Sequence, residues 1–129
     1  MVNKKVLAIL GGLALVAAEA VSVSAEAGDL RVRCERRGTR RSRVSVDANN
    51  VPAGAYQVTV TSGPNSVGPV PTSVPAGGDQ FEVDFDSNRA DILAGAIKIS
   101  KTFIQAGKVS VQVNGPENLS ATDVACRIR

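Results

Sequence analysis

The chain reads as all-β: a small antiparallel β-sandwich of immunoglobulin-like type, with about seven or eight short strands, one disulfide and a signal-peptide helix ahead of it. Three observations predict this. Apolar and polar residues alternate with period two through most of residues 28–129, the pattern of half-buried strands. Gly, Pro and Asn interrupt the alternation at short intervals, and no amphipathic segment is long enough for a core helix. Two cysteines, Cys34 and Cys126, lie near the two ends of the alternating region.

Residues 1–27 have the order of a secretory signal. Lys4 and Lys5 supply a positive start, Val6–Ala18 is an apolar run of 13 residues, and small residues then allow cleavage after Ala25 or Ala27. A retained membrane span needs about 20 apolar residues, so no transmembrane segment is expected. The remaining 102 or 104 residues form one domain, destined for the periplasm or the extracellular space. In that oxidising setting two cysteines predict a single Cys34–Cys126 bridge.

Leu30–Asp47 is expected to be the first hairpin. Leu30, Val32 and Cys34 point to one side and Arg31, Arg33 and Glu35 to the other; Gly38 turns the chain; Ser42, Val44 and Val46 then face in. Asp47–Asn50 reads as a turn. Four later segments enter a strand through Ala-Gly, at 53–54, 76–77, 94–95 and 106–107, with glycine supplying the turn. Their inward faces are expected at Tyr56, Val58 and Val60; Phe81, Val83 and Phe85; Ile97 and Ile99; and Val109, Val111 and Val113. Val124, Cys126 and Ile128 complete the set. Residues 62–78 hold four prolines and four glycines and read as a long loop, with an edge strand around Val67–Val74 as the alternative. Ser87–Ala94 is expected to start a helical turn, capped by Ser87 or Asn88.

Charge is concentrated in two places. Residues 31–43 carry seven arginines against one glutamate, whereas Asp79, Glu82, Asp84, Asp86 and Asp91 stand against Arg89 alone. The chain has no histidine, no nucleophile elbow, no phosphate-binding glycine loop and no Cys-x-x-Cys. A non-catalytic protein without a cofactor is therefore expected.

The arginines give the leading functional expectation. If the cysteines join neighbouring antiparallel strands, Arg33 stands opposite Arg127 and Arg31 opposite Arg129. With Arg36, Arg37, Arg40, Arg41 and Arg43 they then make a positive surface for an anionic polysaccharide, a lipid head group or an acidic protein. Nucleic acid is disfavoured, because no aromatic residues interleave the basic ones. The competing expectation is internal neutralisation, with the Glu82–Asp84–Asp86 strand beside an arginine strand.

Two further readings follow from other segments. Alternating Val109–Val113 would suit a self-associating assembly or adhesin-type subunit if it lay at an open edge; the oligomeric state itself is not specified. Asp84, Asp86, Asn88 and Asp91 offer oxygens at alternating positions for calcium, though Arg89 and Gly95 break the EF-hand pattern.

Overall fold

The computed structural model describes residues 28–129; the expected signal peptide lies outside the described residues. Nine strands and one short helix follow in the order β1 (Asp29–Arg37), β2 (Arg41–Asn49), β3 (Gly54–Ser62), β4 (Asn65–Val74), β5 (Gln80–Asp86), α1 (Arg89–Leu93), β6 (Ile97–Lys98), β7 (Lys108–Asn114), β8 (Leu119–Ala125) and β9 (Arg127–Ile128). They form two sheets, β6-β5-β2-β1-β9 and β4-β3-β7-β8. The fold is mostly β in two sheets with one disulfide, as the alternation requires.

The inward faces read from the sequence make the core. Val44, Val46, Val58, Val60, Phe85, Val109, Val111 and Val113 are all nearly sealed from solvent, and Tyr56 stacks tilted on Phe81 with ring centroids 5.2 Å apart. The Tyr56 hydroxyl is satisfied by donating to the Pro52 carbonyl at 2.7 Å. Ile128 departs from the expectation: it is 58 % exposed, on the outermost strand of its sheet, with its side chain over Gly107.

Within the Pro/Gly-rich stretch the alternative of an edge strand holds: β4 occupies Asn65–Val74, between turns. β4 pairs with β3 from Asn65 to Val74, with a register shift between Val58 and Val60. Its prolines are tolerated because β4 is an edge strand and needs no ladder donors on its outer side. Gly68 makes the bulge feasible: its φ is +115°, and a Cβ there would meet the Val58 carbonyl at 2.5 Å. The glycine of each Ala-Gly pair also has positive φ, so the recurring dipeptide is turn chemistry. The turn expected at Asp47–Asn50 narrows to its end, since β2 continues to Asn49 and only Asn50 enters the left-handed region, at φ +59°.

Val109–Val113 lies between β3 and β8 in the middle of its sheet. The edge position that self-association through this segment required is therefore not there. The helical turn forms as expected, with Asn88 capping α1 by accepting from Ala90 N–H.

The disulfide joins Cys34 on β1 to Cys126, with 4.7 Å between the Cα atoms. Cys126 is the single residue between β8 and β9, where the chain leaves one sheet for the other. The bridge therefore closes one side of the sandwich at the point where the last strand crosses over.

Candidate functional site

Strand pairing decides which charges meet on the outer face of the five-stranded sheet. β9 runs parallel to β1, placing Arg127 beside Glu35. This corrects the antiparallel register expected from the cysteines: Arg127 does not oppose Arg33, nor does Arg129 oppose Arg31. The physical reason is the crossover at Cys126, which brings the chain end onto β1 from the other sheet and in the same direction.

On β1's other side Glu35 pairs with Arg43 of β2, Arg43 with Asp86 of β5, and Asp86 with Lys98 of β6. One row thus alternates in sign across five strands: Arg127, Glu35, Arg43, Asp86, Lys98. Two rows beneath it read Arg33, Ser45, Asp84 and Arg31, Asp47, Glu82. The acidic strand does lie next to an arginine strand, as the neutralisation reading required.

Neutralisation is incomplete. Arg33 reaches Asp47 at 3.0 Å, Arg37 and Arg129 both contact Glu35, and Arg41 grips Asp86 through two hydrogen bonds of 3.0 and 2.7 Å. Arg36 belongs to the inner face; it turns into the sandwich end and donates to the carbonyls of Ile104 and Gly38, each at 2.7 Å. These bonds tie the β1 end to the segment before β7. That leaves Arg31, Arg40, Arg43 and Arg127 without a carboxylate within 4.0 Å among the described residues.

Glu35 is the hub of this face. Its lattice neighbours are Arg33 and Arg37 along β1, Arg43 across β2 and Arg127 across β9. Burial opposes its ionisation, but the guanidinium of Arg129, and after it that of Arg37, outweigh this and hold its carboxyl below the usual range. Arg33, Arg43, Arg127 and Glu35 also line an open hollow of about 460 Å³, together with Cys34 and Ser45. The sequence signal for the hub is the lone glutamate among seven arginines; which arginines surround it depends on strand order.

Three of the four residues named for calcium are engaged with protein groups, two of them with one guanidinium. Asp86 is buried and gives both carboxylate oxygens to Arg41, one of them also accepting from Asn88 N–H at 2.9 Å. Asp91 binds the same guanidinium at 2.9 Å, and the Asn88 side chain is spent on the helix cap. Only Asp84 of the four proposed ligands is left over. Among the described residues no group of three or more His, Cys, Asp or Glu is arranged to hold a metal ion.

Glu82 shows the cost of the acidic end. Repulsion from Asp84 and then Asp47, with burial adding to it, raises its carboxyl above the usual range. Stability tied to its protonated form is fully present below the unfolded-state value, roughly 4.3, and is lost as the pH rises through the folded-state value. Glu82→Gln is therefore expected to gain about 0.2–1 kcal/mol near neutral pH, the scale of a like-charge cross-strand pair. The gain should vanish in acid, as urea midpoints measured at both pH values would show.

Among the described residues no helix is long and apolar enough to cross a membrane. Comparison with family models, curated proteins and solved structures finds no match.

Proposed function

We propose that this chain is an exported, non-catalytic binding module of immunoglobulin-like type that holds anionic groups over the arginine face centred on Glu35. The order β1-β2-β5 in one sheet and β3-β7-β8 in the other supports the immunoglobulin-like assignment. It matches strands A, B, E and C, F, G of that fold, with β4 added beside β3. The disulfide supports an oxidising compartment.

The observation that carries the functional reading is the surplus of guanidinium groups around one carboxylate. Glu35 already occupies Arg37 and Arg129, while Arg43 and Arg127 flank it across the same hollow with no partner of their own among the described residues. Such planar forks suit a carboxylate, sulfate or phosphate. Anionic polysaccharide, lipid head groups and acidic protein surfaces all present this chemistry.

Heparin affinity, retention on vesicles containing anionic lipid, and binding to an acidic protein separate the three sources. Binding to at least one should weaken with salt. Replacing Arg43 and Arg127 together by Gln should weaken that binding tenfold or more, since a hydrogen bond to a charged group contributes about 1.5–3 kcal/mol. Arg31→Gln with Arg40→Gln removes equal charge outside the hollow and should cost much less. Equal losses from the two pairs, or no binding to any probe, would overturn the proposal.

A further inference from the structure

We infer that the free edge of β5 is a docking site for an extended peptide in which basic and apolar residues alternate, added to the sheet as a further strand. Strand β6 covers only the end of that edge, pairing Phe85 with Ile97 and Asp86 with Lys98. The Asp86 carbonyl accepts from Ile99 N–H on this side. Backbone groups two residues apart point the same way along a strand. The N–H and C=O groups of Gln80, Glu82 and Asp84 therefore face this edge; Ile97 N–H takes the Asp84 carbonyl in the parallel Phe85–Ile97 pair, and among the described residues no strand pairs with the Asp84 N–H or with Gln80 and Glu82 there.

The two outermost strands of the other sheet are each blunted or differently placed. β4 carries Pro69 and Pro71, and β8 carries a bulge around Asp123, whose φ is +53°. Both are devices that discourage strand addition. The β5 edge has neither, and it opens on a hollow of about 380 Å³ bounded across the gap by Val70 and Pro71 of β4.

Residue chemistry names the occupant. The chain's own β6 is the precedent: Ile97 turns toward the core and Lys98 stands beside Asp86 on the outer face. A strand continuing below β6 would put apolar side chains opposite Phe81 and Val83. Its outward side chains would stand opposite Glu82 and Asp84, neither of which has a cationic partner within 4.0 Å among the described residues. An incoming cation there also relieves the repulsion that Asp84 and Asp47 exert on Glu82. Main-chain bonds supply the pairing and the alternate side chains the selectivity. The open edge spans roughly five residues, or about 17 Å of extended chain.

The test uses the full-length protein with its disulfide intact and three five-residue peptides, Arg-Val-Arg-Val-Arg, Glu-Val-Glu-Val-Glu and Arg-Pro-Arg-Pro-Arg. Binding of the first should shift the NMR amide signals of Gln80, Glu82 and Asp84 and slow their hydrogen exchange at least tenfold. The acidic peptide should not bind. Added parallel to β5, as β6 is, the peptide donates from its valine positions; the proline peptide keeps the charge but lacks those donors, and should bind at least tenfold more weakly. Glu82→Lys with Asp84→Lys should also lower affinity more than tenfold.

Equal binding of the proline peptide would reduce the effect to charge alone and overturn the inference. So would shifts confined to residues outside Gln80–Asp84. Concentration-dependent dimerisation without peptide, abolished by the same double substitution, would assign the edge to a second copy instead.

Discussion

Asp86→Ala is expected to remove about 3 kcal/mol of stability, roughly a 12 °C fall or more in Tm for a domain this size. Asp86 is 3 % exposed and takes two hydrogen bonds from Arg41 and one from Asn88 N–H. Without it Arg41 would stay largely buried with only Asp91, which is half exposed, as a partner. The loss comes mainly from stranding that guanidinium, and the entry to α1 loosens as well. Asp86→Asn keeps an acceptor without the charge and should fall between alanine and the native residue.

The same site sets the direction of acid sensitivity. Burial raises the Asp86 carboxyl, but the Arg41 hydrogen bond, the Asn88 N–H, and the charges of Arg41 and Arg43 together bring it below the usual carboxylate range. A lowered folded-state value means stability that is present above the unfolded-state pKa, roughly 3.9, and lost as the pH falls through the folded-state value. Glu35 behaves alike and Glu82 in the opposite sense. Urea unfolding from pH 6 downward should show a steep acid loss in the native protein. That loss should be much shallower in Asp86→Asn; parallel curves would show that this ion pair does not govern acid stability.

Replacing Cys34 and Cys126 together by Ala is expected to cost about 4–5 kcal/mol, the chain-entropy value for a bridge spanning 92 residues of sequence. The loss should also reach the anion-binding face. β9 pairs with β1 over two residues only, and beyond the bridge it is held by Gly38 N–H donating to the Arg129 carbonyl, Arg129 N–H donating to the Arg36 carbonyl, and the Arg129–Glu35 contact. Freed from Cys126, this short end should fray, taking Arg127 from the hollow and Arg129 from Glu35. Reduced and oxidised protein compared below the melting temperature of both should therefore differ in anion retention. Unchanged retention with β9 detached would show that Arg127 is not part of the contact surface.

The inward set from Tyr56 to Val113 could be read directly because period-two alternation is local: each residue's face follows from its neighbours in the chain. The capped turn at Asn88 and the glycine turns are local in the same way. The strand character of Asn65–Val74 was obscured because proline is compatible with a strand only at an edge, and edge position is not written in the segment itself. The same holds for Val109–Val113, whose alternation fits a central strand and an edge strand equally well.

Composition and alternation by themselves determined an all-β chain, its buried faces, the pairing of its only two cysteines and the separation of basic from acidic segments. Tertiary structure alone decided which charges became neighbours. The crossover at Cys126 set β9 parallel to β1, and strand order put the arginines of β2 directly beside the acidic residues of β5. Arg41 and Asp86 are 45 residues apart in the chain yet form the best-buried ion pair among the described residues. Long-range pairing of this kind depends on how two sheets close around one core, and a charge's partner is fixed only when that closure is complete.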